Sequence, residues 1–171
     1  MARGKASVIF CLAALGLAAC AQEASQGGAE VNDADAGTFS QITGIATVSD
    51  GDTLRIGPRR IRLDGIVAPE RRALCGGVDI YRAATDALRE ATRAGQVRCR
   101  ISDLPDAQGR DVAQCSAGDV DLSAFMVANG WARDWTAASG GAYADEEAAA
   151  RAAERGIWGL SCPADVWGDR D

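Results

Sequence analysis

Between residues 42 and 64 the chain alternates short apolar runs with tight-turn pairs. Ile42 to Val48, Thr53 to Ile56 and Arg60 to Asp64 read as three strands, with turns at Asp50-Gly51 and Gly57-Pro58. From Tyr81 to Ala94 the period changes: Ala84, Ala87, Leu88 and Ala91 share one helical face, and Gly95 stands where that helix would stop. Val97 to Ile101 and Val112 to Cys115 return to strand. Leu122 to Asn129 then reads as a helix capped by Asp121 and closed by Gly130, and Tyr143 to Arg155 as a third helix closed by Gly156. Short strands between tight turns predict a small closed sheet, so the folded part is expected to be a mainly β, α+β domain over residues 40–171.

The start of the chain has a different pattern. Arg3 and Lys5 precede an apolar run from Ala6 to Ala19, too short for a membrane span and suited to a secretory signal over residues 1–19. The run ends Leu17-Ala18-Ala19-Cys20, which resembles a bacterial lipoprotein cleavage box with Cys20 as the lipidated residue. The plainer alternative is an ordinary signal cleaved after an alanine-rich site, with Cys20 an incidental thiol. Ala21, following the cysteine where Asp would otherwise direct retention, points to an outer-membrane lipoprotein facing the periplasm or the exterior. Residues 20–39 are Gln, Ser, Gly, Asp, Glu and Ala with almost no large apolar side chain. Such a segment cannot bury enough surface to offset its ordering entropy, and is expected to be a disordered tether.

Composition narrows the chemistry. The 171 residues include no histidine, and the only lysine is Lys5. That removes Ser-His-Asp and Cys-His catalysis and every zinc site that needs an imidazole. A general base is then a carboxylate, and a cation for phosphate is an arginine. Formal net charge is −6, and without Arg3 and Lys5 the chain has 16 basic residues against 24 acidic, near −8. Such a chain binds nucleic acid only through a local basic patch, here Arg55, Arg59, Arg60, Arg62, Arg71 and Arg72.

Apart from Cys11 and Cys20, four cysteines remain: Cys75, Cys99, Cys115 and Cys162. An even count in an exported domain points to disulfides. If strands 97–101 and 112–115 form a hairpin centred near Ala107, Cys99 lies opposite Cys115, within bridging range. Cys75 then pairs with Cys162. A zinc ion held by all four thiolates is the rival reading, against which stands the lack of any C-x-x-C spacing.

The densest chemistry lies in Val48 to Glu70, where Asp50, Asp52, Asp64 and Glu70 accompany several arginines. The run Asp50-Gly51-Asp52-Thr53-Leu54, then Arg62-Leu63, Gly65-Ile66 and Ala68-Pro69-Glu70, resembles the thermonuclease (staphylococcal nuclease-like) family. Asp106, Gly109 and Arg110 resemble its D-x-x-G-R element, and residues 156–158 its GIW signature. The resemblance covers about residues 41 to 160 and implies a five-stranded OB barrel with three helices.

For function it implies an endonuclease that hydrolyses DNA or RNA as a monomer, touching the membrane only through its lipid anchor. Asp52 would be a direct calcium ligand, Asp50 a carboxylate holding metal-bound water, and Ala68 the donor of a backbone carbonyl to the ion. Glu70 would be the general base or water-positioning group, and Arg62 and Arg110 the phosphate contacts. Read alone, Asp50-Gly51-Asp52 is turn chemistry, Glu70 a solvated acid, Arg62 a surface strand residue and Arg110 a turn cation. One departure stands out: where the family has G-I-D-A-P-E, this chain has Gly65-Ile66-Val67-Ala68-Pro69-Glu70. Val67 replaces a calcium carboxylate, so Ca2+ or another divalent ion is expected to bind weakly. Gln108 and Ala107 likewise replace the family's aromatic and lysine residues before G-R. Trp131 and Trp135 can stack bases or fill the core. The alternative is therefore a catalytically lapsed OB module that binds nucleic acid or an envelope protein.

Overall fold

The computed structural model describes residues 39–168. The signal, Cys20 and nearly all of the expected tether lie outside those residues.

The described part is built on one curled sheet. Strands β1 (Ser40–Gly44), β2 (Ala46–Asp50), β3 (Thr53–Ile56), β4 (Arg59–Leu63), β8 (Val97–Ile101) and β9 (Asp111–Ala117) follow the order β1-β8-β9-β4-β3-β2, and the short β10 (Val120–Asp121) adds to β9. All pairings on this path are antiparallel except β4 with β9, which is parallel. This mainly β sheet with its helices is the expected OB-type α+β fold. The expected first strand is divided, however: its start pairs with β8 and its end with β3. Gly44 sits at the break, where a Cβ would come 2.7 Å from the Ile56 side chain, so the chain crosses the sheet closely only without one.

Alternation along the strands explains the layers. Leu54, Ile56, Ile61, Leu63, Val97, Cys99, Ile101, Ala113 and Cys115 face a common core, with polar residues between them outward. Helix α1 (Ile80–Thr92) closes one side with Ala84 and Leu88, its first turn capped by Asp79, whose carboxylate accepts from the Arg82 N–H at 2.9 Å. Helix α2 (Leu122–Ala128) adds Leu122, Met126 and Val127, and Asp121 caps it through the Ala124 N–H at 2.8 Å. The third expected helix is α4 (Ala144–Ala152), and a single turn, α3 (Thr136–Ser139), precedes it.

Two small pairings were not expected from sequence: β5 (Ile66–Val67) with β11 (Arg133–Asp134), and β6 (Leu74–Cys75) with β7 (Val78–Asp79). They frame a second apolar cluster of Val67, Cys75, Ile80, Ile157, Val166 and Trp167, beneath the turns at Gly156–Gly159 and Ala164–Trp167.

Both expected disulfides are present. Cys99 faces Cys115 in the β8–β9 register, and Cys75 joins Cys162 across 87 residues, tying the segment after Glu70 to the C-terminal turns. Chain entropy makes the longer closure the stronger. Removing Cys75 and Cys162 together is expected to cost about 4 kcal/mol in urea denaturation, against about 3 kcal/mol for removing Cys99 and Cys115.

Candidate active site

The Asp50-Gly51-Asp52 turn joins β2 to β3 and is pressed inward. A Cβ on Gly51 would lie 2.8 Å from that of Ala68 and 2.9 Å from that of Ala84, so only glycine lets the turn sit between the β5 exit loop and α1. This closeness sets both acids beside Ala68-Pro69-Glu70. Asp50 accepts the Asp52 N–H at 3.2 Å. Asp52, only 5% exposed, accepts from the Thr53 hydroxyl at 3.0 Å, from the Arg62 guanidinium at 3.1 Å and from the Ala68 N–H at 3.4 Å.

Arg110 arrives from the loop between β8 and β9. Asp106 shapes that loop by accepting from the N–H groups of Gln108 and Arg110 at 3.0 and 2.9 Å, and it holds Arg110 Nε at 2.6 Å. The other end of the guanidinium donates to the Thr53 hydroxyl at 3.1 Å, beside Asp52. Burial pushes the Asp106 carboxyl up, but the bonds from the Arg110 backbone and side chain, with that guanidinium's charge, together hold it below the usual range.

These residues meet around a cleft of about 100 Å³ lined by Asp50, Asp52, Ala68, Pro69, Glu70, Arg71, Tyr81 and Arg110. Glu70 is exposed at its edge, its N–H donating to the Val166 carbonyl at 3.1 Å, and Gly168 packs against its side chain. Five of the six residues expected at the site thus share one cleft.

The sixth does not line it. Arg62 is 4% exposed; its guanidinium lies behind Asp52, donating to the Ile66 carbonyl at 2.7 Å and resting 5.5 Å from the centre of the Trp135 ring. Arg71, expected only as part of a basic patch, and Tyr81, not expected at all, also line the cleft wall. Arg71 adjoins Glu70, and Tyr81 opens the helix that packs on the turn, so adjacency was the available signal. Trp131 and Trp135 pack against the apolar clusters rather than lining the cleft, and Val67 is fully buried in the second cluster.

Does this donor set suit a metal? Burial, and then the charge of Asp52, raises the Asp50 carboxyl above the ordinary carboxylate range, and among the described residues no cationic side chain pairs with it. A divalent cation would relieve that repulsion. Among the described residues, though, no three acids or cysteines converge closely enough to enclose an ion. Asp50 and Asp52, with Ala68 beside them, therefore suit a divalent ion that keeps several of its waters, not an all-protein calcium cage.

A raised carboxyl has a clear sign. The folded chain holds the Asp50 proton more tightly than the unfolded chain does, so its ionisation lowers stability as pH climbs through the raised value. Asp50→Asn, which keeps the acceptor for the Asp52 N–H, is expected to raise the metal-free melting temperature at pH 7 by about 1–3 °C. A melting-temperature increase with calcium is expected for the parent, should be lost in the same variant, and should fade on acidification through the Asp50 titration.

The sequence pattern described as "Staphylococcal nuclease homologue" matches residues 60–159. The chain belongs to that family. A relative, the "Succinoglycan biosynthesis protein ExoI" of Rhizobium meliloti (strain 1021), is 34% identical over 134 residues, covering 72% of this chain and 68% of the relative. Membership in the nuclease family points to nuclease-type chemistry at nucleic acid, in a family that generally uses calcium, while the relative is named for a biosynthetic process. The matched segment begins at Arg60 and so takes in Arg62, Glu70, Arg110 and the GIW turn, leaving the Asp50-Gly51-Asp52 turn just upstream.

Proposed function

We propose that the chain is an exported phosphodiesterase, an endonuclease that hydrolyses DNA or RNA with a weakly held divalent ion. The observation that carries this reading is that an acid, Glu70, and a buried cation, Arg110, share one small cleft with an acid pair suited to a cation. The phosphate enters between Arg110 and Arg71, whose guanidinium groups donate to its non-bridging oxygens as charge gathers there. Glu70 accepts a proton from a water, that water's oxygen bonds to phosphorus, and the opposite ester oxygen leaves and takes a proton from solvent. Arg62 acts one bond back: it fixes Asp52 facing the cleft and neutralises it. Asp50 and Asp52 would hold a divalent ion, which would supply Lewis acidity when bound. Lipidation at Cys20 would place the enzyme in the cell envelope, with residues 20–39 as tether and 40–171 as the nuclease-like domain.

A catalytically lapsed OB module is the second reading, favoured by Val67 and by the relative's biosynthetic name. The two separate in one assay, in which the full chain is incubated with end-labelled oligonucleotide and with plasmid in calcium, magnesium, manganese or chelator. Cleavage that chelator abolishes supports the enzyme. Binding without cleavage in any of the three ions overturns it.

A further inference from the structure

Beyond the cleft, the outward face of β3 and β4 carries a second feature. Thr53 pairs with Arg62 and, two residues along, Arg55 pairs with Arg60. Residues two apart on a strand share a face, about 7 Å from one pair to the next. Arg55 and Arg60 are therefore on the same face as the Thr53–Arg62 pair against which Arg110 rests. Both are exposed and directly opposed, an arrangement in which like charges destabilise the sheet.

Several other arginines are neutralised, although Arg98 and Arg100 on β8 have no acid partner among the described residues. Arg59 donates twice to Asp111, at 2.7 and 2.9 Å, and Arg82, Arg89, Arg93 and Arg151 on the helices each have an acid partner. Among the described residues no acid pairs with Arg55 or Arg60; Arg55 has only the Pro58 carbonyl, at 3.2 Å. In a chain of net charge −6, an uncompensated cationic pair one step along the face from Thr53, to which Arg110 donates, is suited to an anion.

We infer that Arg55 and Arg60 hold the phosphate adjoining the one in the cleft, so that a nucleic-acid strand lies along β4 and crosses the site lengthwise. The step runs from the Thr53–Arg62 pair, where Arg110 donates to the Thr53 hydroxyl, so the arginine pair follows Arg110 along one face as contacts to successive backbone phosphates would. The identity of the polyanion rests on the function proposed above, whereas the site itself does not depend on cleavage.

Binding is therefore measured without turnover: the full chain is titrated into a fluorescein-labelled ten-nucleotide oligothymidylate in chelator, at several salt concentrations. For Arg55→Gln/Arg60→Gln the affinity at 0.1 M salt should fall about tenfold, and the slope of log affinity against log salt should flatten by about 1.4. Arg98→Gln/Arg100→Gln makes the same charge change on exposed β8 residues and should leave both quantities at the parent value. An unchanged slope in the Arg55/Arg60 variant, an equal loss in the Arg98/Arg100 variant, or no binding by the parent overturns the inference. So does a variant that keeps the oligonucleotide but loses heparin. A parent that binds as described yet never cuts would sink the nuclease reading and leave this site standing.

Discussion

Glu70→Gln lowers the rate of oligonucleotide cleavage by about a hundred- to ten-thousand-fold, the range set by removing a positioned proton acceptor. Affinity for the uncut strand, measured in chelator, stays within about twofold or tightens slightly, because an acid has been removed beside a bound phosphate. Stability should change little, since Glu70 is exposed and its backbone bonds with Val166 and Ala73 are kept by the substitution. Asp145→Asn, an exposed acid in the first turn of α4, provides the comparison and should cut at the parent rate. A Glu70→Gln protein retaining more than a third of the parent rate would place the base elsewhere.

Arg62→Leu has its main effect on the fold. Arg62 and Asp52 are 4% and 5% exposed and meet at 3.1 Å, so removing the guanidinium takes the cation away from a largely buried carboxylate. Breaking a buried pair from one side costs about 3–5 kcal/mol, and urea denaturation should show a loss of that size. The Ile66 carbonyl also loses its 2.7 Å donor. Arg62→Leu/Asp52→Leu should recover most of the loss, because two apolar residues then fill the space without an orphaned charge. Recovery of stability in the double variant without recovery of divalent-ion binding would separate Arg62's structural work from Asp52's. If Arg62→Leu instead melts like the parent, the pair is not the internal strut described here.

These two residues also show what a sequence can and cannot disclose. Glu70 and Arg110 were legible as site candidates only through the family resemblance, since read alone they are a solvated acid and a turn cation; the structure adds that the Asp106 side chain organises the turn before Arg110. The Cys99–Cys115 bridge was legible because hairpin register follows from counting. Arg62 was recognisable as important, but whether its guanidinium faces the cleft or lies behind Asp52 depends on β5 and the Ile66 carbonyl, which come from further along the chain. Two-residue pairings such as β5 with β11 are too short to carry periodicity, so the second apolar cluster and the burial of Val67 in it had no local signal. The break at Gly44 was missed for a similar reason, since what it avoids is Ile56, twelve residues on.

Burial of Val67 changes how the missing carboxylate is understood. The residue that replaces a family acid contributes to the packing that carries the Cys75–Cys162 bridge and the turn supporting Glu70.

The central claim is that one phosphate sits in the cleft against Arg110 and Arg71, facing the water that Glu70 deprotonates, and arginine side-chain NMR tests it directly. Nε–Hε signals are followed while a non-cleavable phosphorothioate dinucleotide is added to the full chain in chelator. The Arg110 signal should move with the same dissociation constant as the backbone signals of Ala68 and Glu70, and the Arg59 signal, bound to Asp111 away from the cleft, should stay still. A dinucleotide that binds while Arg110 and Glu70 remain unmoved would contradict the account.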